Sequence, residues 1–223
     1  MIPTPIISHL TEKDYENVYE PAEDSFILLD ALEADVEELR SLKPSICLEI
    51  GSGSGIVSAF LTNLLGNGNS YNISTDINLY ACSTTSRTGT ANQLILDPVA
   101  CDLVLPFLPR LAKKIDVLIF NPPYVPTDSH ELKSTQGKRD ISGAWAGGLD
   151  GMDVTNRVLS LLPQLLSFNG CMYLVAIQEN NIPEISSMML SLGLQTKEIL
   201  RRRAGREHLL VLRIAKPRQE SAA

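Results

Sequence analysis

Ser45-Ile46-Cys47-Leu48-Glu49-Ile50-Gly51-Ser52-Gly53-Ser54-Gly55 is the stretch on which the fold turns. Ser45 to Ile50 is a short apolar run of the kind that a buried parallel strand presents. Alternating glycines follow, and from Ile56 to Leu65 the apolar residues fall at helical spacing. Strand, glycine turn and helix in that order build a nucleotide cradle: glycine lets backbone approach a ligand, and a helix start offers free N–H groups. The dinucleotide fingerprint G-x-G-x-x-G does not fit, because Ile56 stands where its last glycine would. Glu49, two residues ahead of Gly51, points the same way. A carboxylate there repels a pyrophosphate and attracts a cation. S-adenosylmethionine, which carries an ammonium and a sulfonium but no phosphate, suits such a turn. A tight strand-to-helix turn without a ligand is the plain alternative.

A second apolar run, Ile115-Asp116-Val117-Leu118-Ile119-Phe120, ends in Asn121-Pro122-Pro123-Tyr124. The tetrapeptide therefore sits at a strand's carboxyl end, where open α/β sheets place ligands. Its chemistry suits the grip of a planar NH2 group. The Asn121 side chain and the Pro122 carbonyl are acceptors, neither proline has an N–H to compete, and Tyr124 adds an aromatic wall. Asp76 closes the run Ser70 to Thr75, 25 positions after Gly51, and is placed to accept from ribose hydroxyls. Asp102 follows a third segment, Leu94 to Cys101. It can reach an adenine amino group, or cap a helix over Leu105 to Leu111; the sequence leaves both open.

Together these residues resemble the class I S-adenosylmethionine-dependent methyltransferases of the HemK type. Tyr19-Glu20-Pro21-Ala22-Glu23-Asp24-Ser25 and Ala144-Trp145-Ala146-Gly147-Gly148 look closer still to the eukaryotic branch. The resemblance spans roughly Val18 to Ile214. It implies methylation of the glutamine side-chain amide in the Gly-Gly-Gln motif of the class I translation termination factor. It also implies cofactor contacts at Ser25, Glu49, Gly51, Gly53, Asp76, Asp102, Leu103 and Asn121. The substrate side would comprise Asn121, Pro122, Pro123, Tyr124 and Trp145. A hydroxyl is kept at Ser25, where the family often has threonine. The implied partner is a small zinc-binding activator protein, docking on an edge strand near Leu94 to Ala100. The termination factor's GTPase partner is a further candidate.

The competing uses of such a clamp are methylation of a protein lysine or of an adenine amino group in nucleic acid. An ammonium fits two acceptor oxygens less well than a neutral amide does. Charge argues against DNA: residues 1–100 hold 4 Lys and Arg against 14 Asp and Glu, a net −10, and residues 101–223 hold 15 against 12, a net +3. The basic run Arg201-Arg202-Arg203 with Arg206 reads first as a solvated hairpin end, and second as a contact with an acidic substrate surface.

The 223 residues, 44% of them hydrophobic, suffice for one large α/β core. Strands are expected near 45–50, 70–75, 94–101, 115–120, 171–178, 194–202 and 207–215. An apolar stripe from Phe26 to Leu39 predicts a helix ahead of Pro44. The fold class is a single Rossmann-like domain, a mostly parallel seven-stranded sheet with one antiparallel strand and helices on both faces. Residues 21–216 would form the domain, 1–20 an extension that is either disordered or a cover over the cofactor, and 217–223 a tail. The stretch Val125 to Gly151 is long for a connection and reads as a lid at the acceptor entrance. No apolar run spans a membrane, and no secretion signal opens the chain. Cys47, Cys82, Cys101 and Cys171 are scattered, with no metal-binding spacing. The expected compartment is the cytoplasm, with the nucleus as a second.

Overall fold

The computed structural model describes residues 2–124 and 151–217. The central strands form where the sequence offers a short run able to bury both faces, and the two edge strands are more exposed. β1 (Ile46–Ile50), β2 (Tyr71–Asp76), β3 (Asp97–Ala100), β4 (Ile115–Phe120) and β5 (Leu166–Ile177) are mutually parallel. β6 (Gln195–Ala204) and β7 (Glu207–Ala215) form the late hairpin, and β7 runs antiparallel to both β5 and β6. The sheet has seven strands in the order β3-β2-β1-β4-β5-β7-β6. That is the expected sheet, including its one antiparallel strand.

The chain winds outward from β1 through β2 to β3 and then returns to β4 on the other side of β1. The crevice between β1 and β4 is thus the switch point, the natural ligand site of such a sheet. Register decides what meets there. Ile50 pairs with Thr75 on one side and Phe120 on the other, and Asp76 pairs with Ala100. Gly51, Asp76, Cys101 and Asn121 consequently emerge side by side along the sheet's carboxyl edge.

Alternation of side chains divides the core in two. Cys47, Val117, Ile119, Tyr173 and Val175 pack under the helices Glu23–Ala34 (α2) and Ile56–Leu65 (α4). Leu48, Ile50, Leu118, Phe120, Met172 and Leu174 pack under the helices Asp153–Leu165 (α7) and Ile182–Ser191 (α8). Full burial of one such aliphatic side chain stabilises by roughly 1.5–3 kcal/mol. Both faces together therefore hold the carboxyl edge rigid. Among the described residues no helix is long and apolar enough to cross a membrane.

Three expectations change. The single helix ahead of Pro44 is two, α2 and Val36–Leu42 (α3), broken at Asp35. Asp35 turns inward, where its carboxylate accepts from the buried Tyr173 phenol. Arg213 Nε lies 3.3 Å away, within ion-pair range but off the hydrogen-bonding direction. The third strand is four residues, not eight: Leu94 and Leu96 turn in to pack with Ala59, and Ile95 is left 84% exposed. The edge is therefore less apolar than its sequence suggests. The segment after Asp102 is a 3-10 turn, Leu105–Phe107, followed by the short helix Leu108–Leu111 (α6).

Residues 2–20, which include the one-turn helix Glu12–Tyr15 (α1), lie along the helix Leu79–Ala91 (α5). Arg87 pairs with Asp14, Ile6 N donates to Asn92 Oδ1 at 2.7 Å, and Asn78 Nδ2 donates to the Asn17 carbonyl at 2.7 Å. Val18 is 2% exposed. This segment is packed onto the domain.

Candidate active site

The three turn glycines do different work. Gly51 (φ +71°) and Gly53 (φ +50°) hold left-handed backbone, and a Cβ added at either would meet no described atom within 4 Å. At these two positions the left-handed backbone, and not packing, is what calls for glycine, and the space above the turn is open. Gly55 (φ +79°) is the opposite case, because a Cβ there would come within 2.8 Å of Thr85 Cα on α5. The turn is pinned from below by Gly51 N and Ser52 N, which both donate to the Thr75 carbonyl at 2.7 and 3.1 Å.

Glu49 lies beneath the turn, 5% exposed. Ser58 Oγ from α4 donates to its Oε2, and Ser58 in turn shares a 2.8 Å hydrogen bond with Ser74 Oγ. Burial pushes the Glu49 carboxyl up to about 8, against the opposing pull of the Ser58 hydrogen bonds. No cationic side chain pairs with it among the described residues. A buried acid of this kind is well suited to an incoming ammonium group.

Asp76 Oδ2 accepts from Gly53 N at 3.0 Å, and Oδ1 from Asn78 N at 2.9 Å. The Ile77 N–H also reaches this carboxylate, and three donors leave it acceptor capacity for a ribose hydroxyl. Burial also raises the pKa of Asp76. Asp102 and Leu103 stand one strand over. The capping alternative for Asp102 fails: the N-cap of the 3-10 turn is Val104, with no side-chain cap, and the Asp102 carboxylate instead pairs with Arg157 of α7 at 2.7 Å. Leu103 adopts φ +52°. Both residues follow β3 at the carboxyl edge of the sheet.

The clamp is organised by Asp24, in the first turn of α2. Asn121 Nδ2 donates to Asp24 Oδ2 at 3.0 Å, and the Tyr124 phenol donates to the same oxygen at 3.3 Å. Asp24 Oδ1 accepts from the Tyr19 phenol at 3.2 Å and from Ser25 N at 2.7 Å. Burial, with the Asp24 charge next in weight, raises both phenols well above their ordinary pKa, so they remain donors. With its NH2 committed to Asp24, Asn121 must present Oδ1 the other way. That oxygen is buried and has no hydrogen-bond partner among the described residues. A buried acceptor without a partner is costly, and this one lies where the sequence places the substrate amide.

Pro122 and Tyr124 are buried, Asn121 and Pro123 half-buried. The Tyr124 carbonyl accepts from Asn180 Nδ2 at 3.1 Å, and Gly151 packs so tightly on it that a Cβ would fall 2.0 Å away. Ser25 borders the clamp through its Asp24 contacts, with Oγ donating to Oδ1 at 3.3 Å. Trp145 and the lid lie outside the described residues. The structure thus brings Ser25, Glu49, Gly51, Gly53, Asp76 and Asn121 to one edge of the sheet. It adds Ser58, Ser74 and Asn180, which lie outside the motifs, and gives a role to Tyr19 and Asp24, which stand within the Tyr19 to Ser25 motif but had none assigned. Of the basic run, Arg201 pairs with Glu198 and Arg202 with Asp30, in line with the solvated-hairpin reading.

No family model matches the chain. It is 48% identical over 215 residues to methyltransferase HEMK2 of Mus musculus, covering 96% of this chain and 97% of that protein. It is 42% identical over 223 aligned positions to the eRF1 methyltransferase catalytic subunit mtq2 of Schizosaccharomyces pombe, covering 96% of each. Among solved structures, the E. cuniculi Mtq2–Trm112 complex, described as responsible for methylation of the eRF1 termination factor, superposes with a TM-score of 0.66. That match has 25% identity and covers 90% of this chain and 99% of the other. Identity at this level, over nearly the full length of both chains, means that the protein belongs to the HEMK2/Mtq2 family of class I methyltransferases.

Proposed function

We propose that this methyltransferase modifies the side-chain amide nitrogen of the glutamine in the Gly-Gly-Gln motif of the class I termination factor, using S-adenosylmethionine. The observation that carries the reading is the buried, unpartnered Asn121 Oδ1, held as an acceptor by Asp24 beside the glycine turn. The names of the S. pombe and E. cuniculi relatives support the choice of substrate.

The crevice fits the cofactor: the open faces of Gly51 and Gly53, the buried Glu49 acid and the spare lone pairs of Asp76 each match one of its parts. Glu49 would face the ammonium, Asp76 the ribose, and Asp102 with Leu103 the adenine. When bound, S-adenosylmethionine supplies a methyl group already activated by its sulfonium. The remaining difficulty is the acceptor, since an amide nitrogen shares its lone pair with its carbonyl. Asn121 Oδ1 and the Pro122 carbonyl grip the two amide hydrogens and turn the nitrogen face towards the donor. Such orientation supplies several kcal/mol of a barrier. As the N–C bond formed and the S–C bond broke, leaving a neutral thioether, the amide hydrogens would become stronger donors, so the same two oxygens would hold the transition state more tightly than the ground state. Neither oxygen is basic enough to keep a proton, which leaves from nitrogen to water.

Mass spectrometry of termination factor incubated with the chain and isotope-labelled cofactor tests this. The label should sit on that glutamine, and Asn121→Ala should abolish turnover while leaving cofactor affinity within about threefold. Label on another residue, or cofactor affinity lost in step with turnover, would overturn it.

The partner reading continues at the other end of the sheet. β3 pairs only with β2 among the described residues, with Ile95 and Tyr71 (54% exposed) beside it. We infer that the small zinc-binding activator docks there by adding a strand. Co-expression should then raise solubility, and a fully active lone chain would count against it. Requirement for the factor's GTPase partner belongs to the same proposal. A translation-factor substrate favours the cytoplasm as the working compartment.

A further inference from the structure

We propose that Asp24 is the positioning residue that fixes the polarity of the clamp, a proposal resting on the acceptor role of Asn121 given above. Asparagine is symmetric in shape and opposite in polarity at its two ends, so the pocket accepts or donates according to which end faces in. Nothing in the tetrapeptide itself decides this. Asp24 does, from 97 residues earlier in the chain, by offering Oδ2 to Asn121 Nδ2 at 3.0 Å. The same oxygen takes the Tyr124 phenol at 3.3 Å, so one atom aligns both clamp side chains. Oδ1 is occupied independently by Ser25 N at 2.7 Å and the Tyr19 phenol at 3.2 Å. The residue is 4% exposed, and its carboxylate is held by five donors, Ser25 N, Ser25 Oγ and the Tyr19 phenol on Oδ1 and Asn121 Nδ2 and the Tyr124 phenol on Oδ2.

The contacts dictate what Asp24→Asn does. Ser25 N and Tyr19 both donate to the Oδ1 position, so the new carboxamide must put its oxygen there. Its NH2 then replaces Oδ2 and confronts the Asn121 NH2. Donor facing donor is resolved by a half-turn of the Asn121 amide, which offers Oδ1 to the substituted side chain and points its own NH2 into the acceptor pocket. The hydroxyl of Tyr124 can rotate to accept, so the fold loses little. The pocket, however, now meets the substrate's N–H groups with N–H groups.

Steady-state kinetics on a Gly-Gly-Gln substrate, with calorimetric cofactor binding and melting temperatures, tests this on the full chain with its activator. Asp24→Asn should lower kcat on the order of 10²-fold or more, as loss of one preorganised polar contact to a transition state does. KM and cofactor affinity should stay within about threefold. The exchanged pair, Asp24→Asn with Asn121→Asp, reverses the bond between the two positions: the donor now sits at position 24, one carboxylate oxygen at position 121 accepts from it, and the other remains an acceptor in the pocket. It should exceed Asp24→Asn at least about tenfold in kcat. Asn121→Asp alone, which sets two carboxyl groups against each other, should be as poor as Asp24→Asn. The proposal is overturned if Asp24→Asn keeps kcat within threefold, if its cofactor affinity falls in proportion, or if the exchanged pair gains nothing. Should Asp24→Asn not fold, the exchanged pair is compared with Asn121→Asp, and equal activity overturns it. An unmutated chain that leaves the glutamine unmodified refutes the function proposed above instead, whatever the variants do.

Discussion

Gly53 and Gly55 have similar backbone conformations and opposite surroundings, so one methyl group at each separates ligand cradle from packing. In Gly55→Ala the left-handed conformation costs about 1–2 kcal/mol. The added Cβ also lies 2.8 Å from Thr85 Cα and 3.2 Å from the Thr85 side chain, so it presses on α5 backbone that cannot swing aside. Overpacking of that kind adds about 1–3 kcal/mol, for a total of roughly 3 kcal/mol. For a chain of this size 1 kcal/mol moves the melting temperature by about 2–4 °C, so Gly55→Ala should melt roughly 10 °C low. Gly53→Ala bears only the conformational part, about 1 kcal/mol, because nothing described lies within 4 Å of its Cβ. Its Gly53 N–H to Asp76 survives, and its melting temperature should fall by only about 2–4 °C. Cofactor reverses the ranking. At a hundredfold excess over Kd, binding adds about 2.7 kcal/mol, or roughly 5–11 °C. That rise should appear in the parent and in Gly55→Ala and vanish in Gly53→Ala, whose methyl occupies the ligand's space. Differential scanning fluorimetry with and without S-adenosylmethionine reads all of this. An equal cofactor-induced rise in the two variants, or a Gly55→Ala protein as stable as the parent, would refute the division of labour.

Burial raises Glu49 to about 8 from 4.5, so between those values the folded chain holds a proton that the unfolded chain has released, and stability falls as pH rises, by roughly 1 kcal/mol per unit. Glu49→Gln should flatten that decline in melting profiles of the cofactor-free chain from about pH 5 to 9, leaving the contribution of Asp76, whose shift has the same sign; parallel profiles would count against it. Gly151→Ala, at φ +73° with its Cβ 2.0 Å from the Tyr124 carbonyl and 2.9 Å from Asn180 Nδ2, should cost about 3 kcal/mol or more and push the clamp off its register. Turnover per folded molecule should then drop along with the melting temperature, and a variant that loses stability but keeps its kcat would show that Gly151 serves the fold alone.

What the sequence announces is whatever a local pattern encodes. α4 begins and ends where the apolar spacing does, at Ile56 and Leu65, and β4 coincides with its apolar run. The hairpin of β6 and β7 is visible because two apolar-bearing runs flank Gly205. Errors arise where a long-range contact overrides the pattern. The helical stripe through Asp35 is continuous in sequence, yet the buried Tyr173 phenol, 138 residues away, draws the carboxylate inward and breaks the helix. Leu94 to Leu96 have the composition of a strand, but Gly89 lets Leu96 and the Leu94 carbonyl approach to 3.1 Å of its missing Cβ, and the chain folds back there before β3 begins.

The same limit shapes the active site. Glycine turn, Glu49, Asp76 and the Asn121 tetrapeptide are each short motifs whose residue types state their chemistry, and register alone brings them together. The groups that set the state of those residues lie elsewhere: Ser58 and Ser74 for Glu49, Asp24 for Asn121. Their residue types are unremarkable, because a serine in a helix or an aspartate in a first turn has many ordinary uses. An acceptor can be named from its own letter, but its direction cannot, since rotating a carboxamide exchanges acceptor for donor without moving its outline. Direction belongs to the pair. The tetrapeptide therefore specifies a pocket able to bind an amide in either polarity, and the carboxylate at the start of α2 selects the polarity that fits a nucleophilic nitrogen. On this reasoning Asp24 and Asn121 should tolerate exchange with each other better than either tolerates replacement alone.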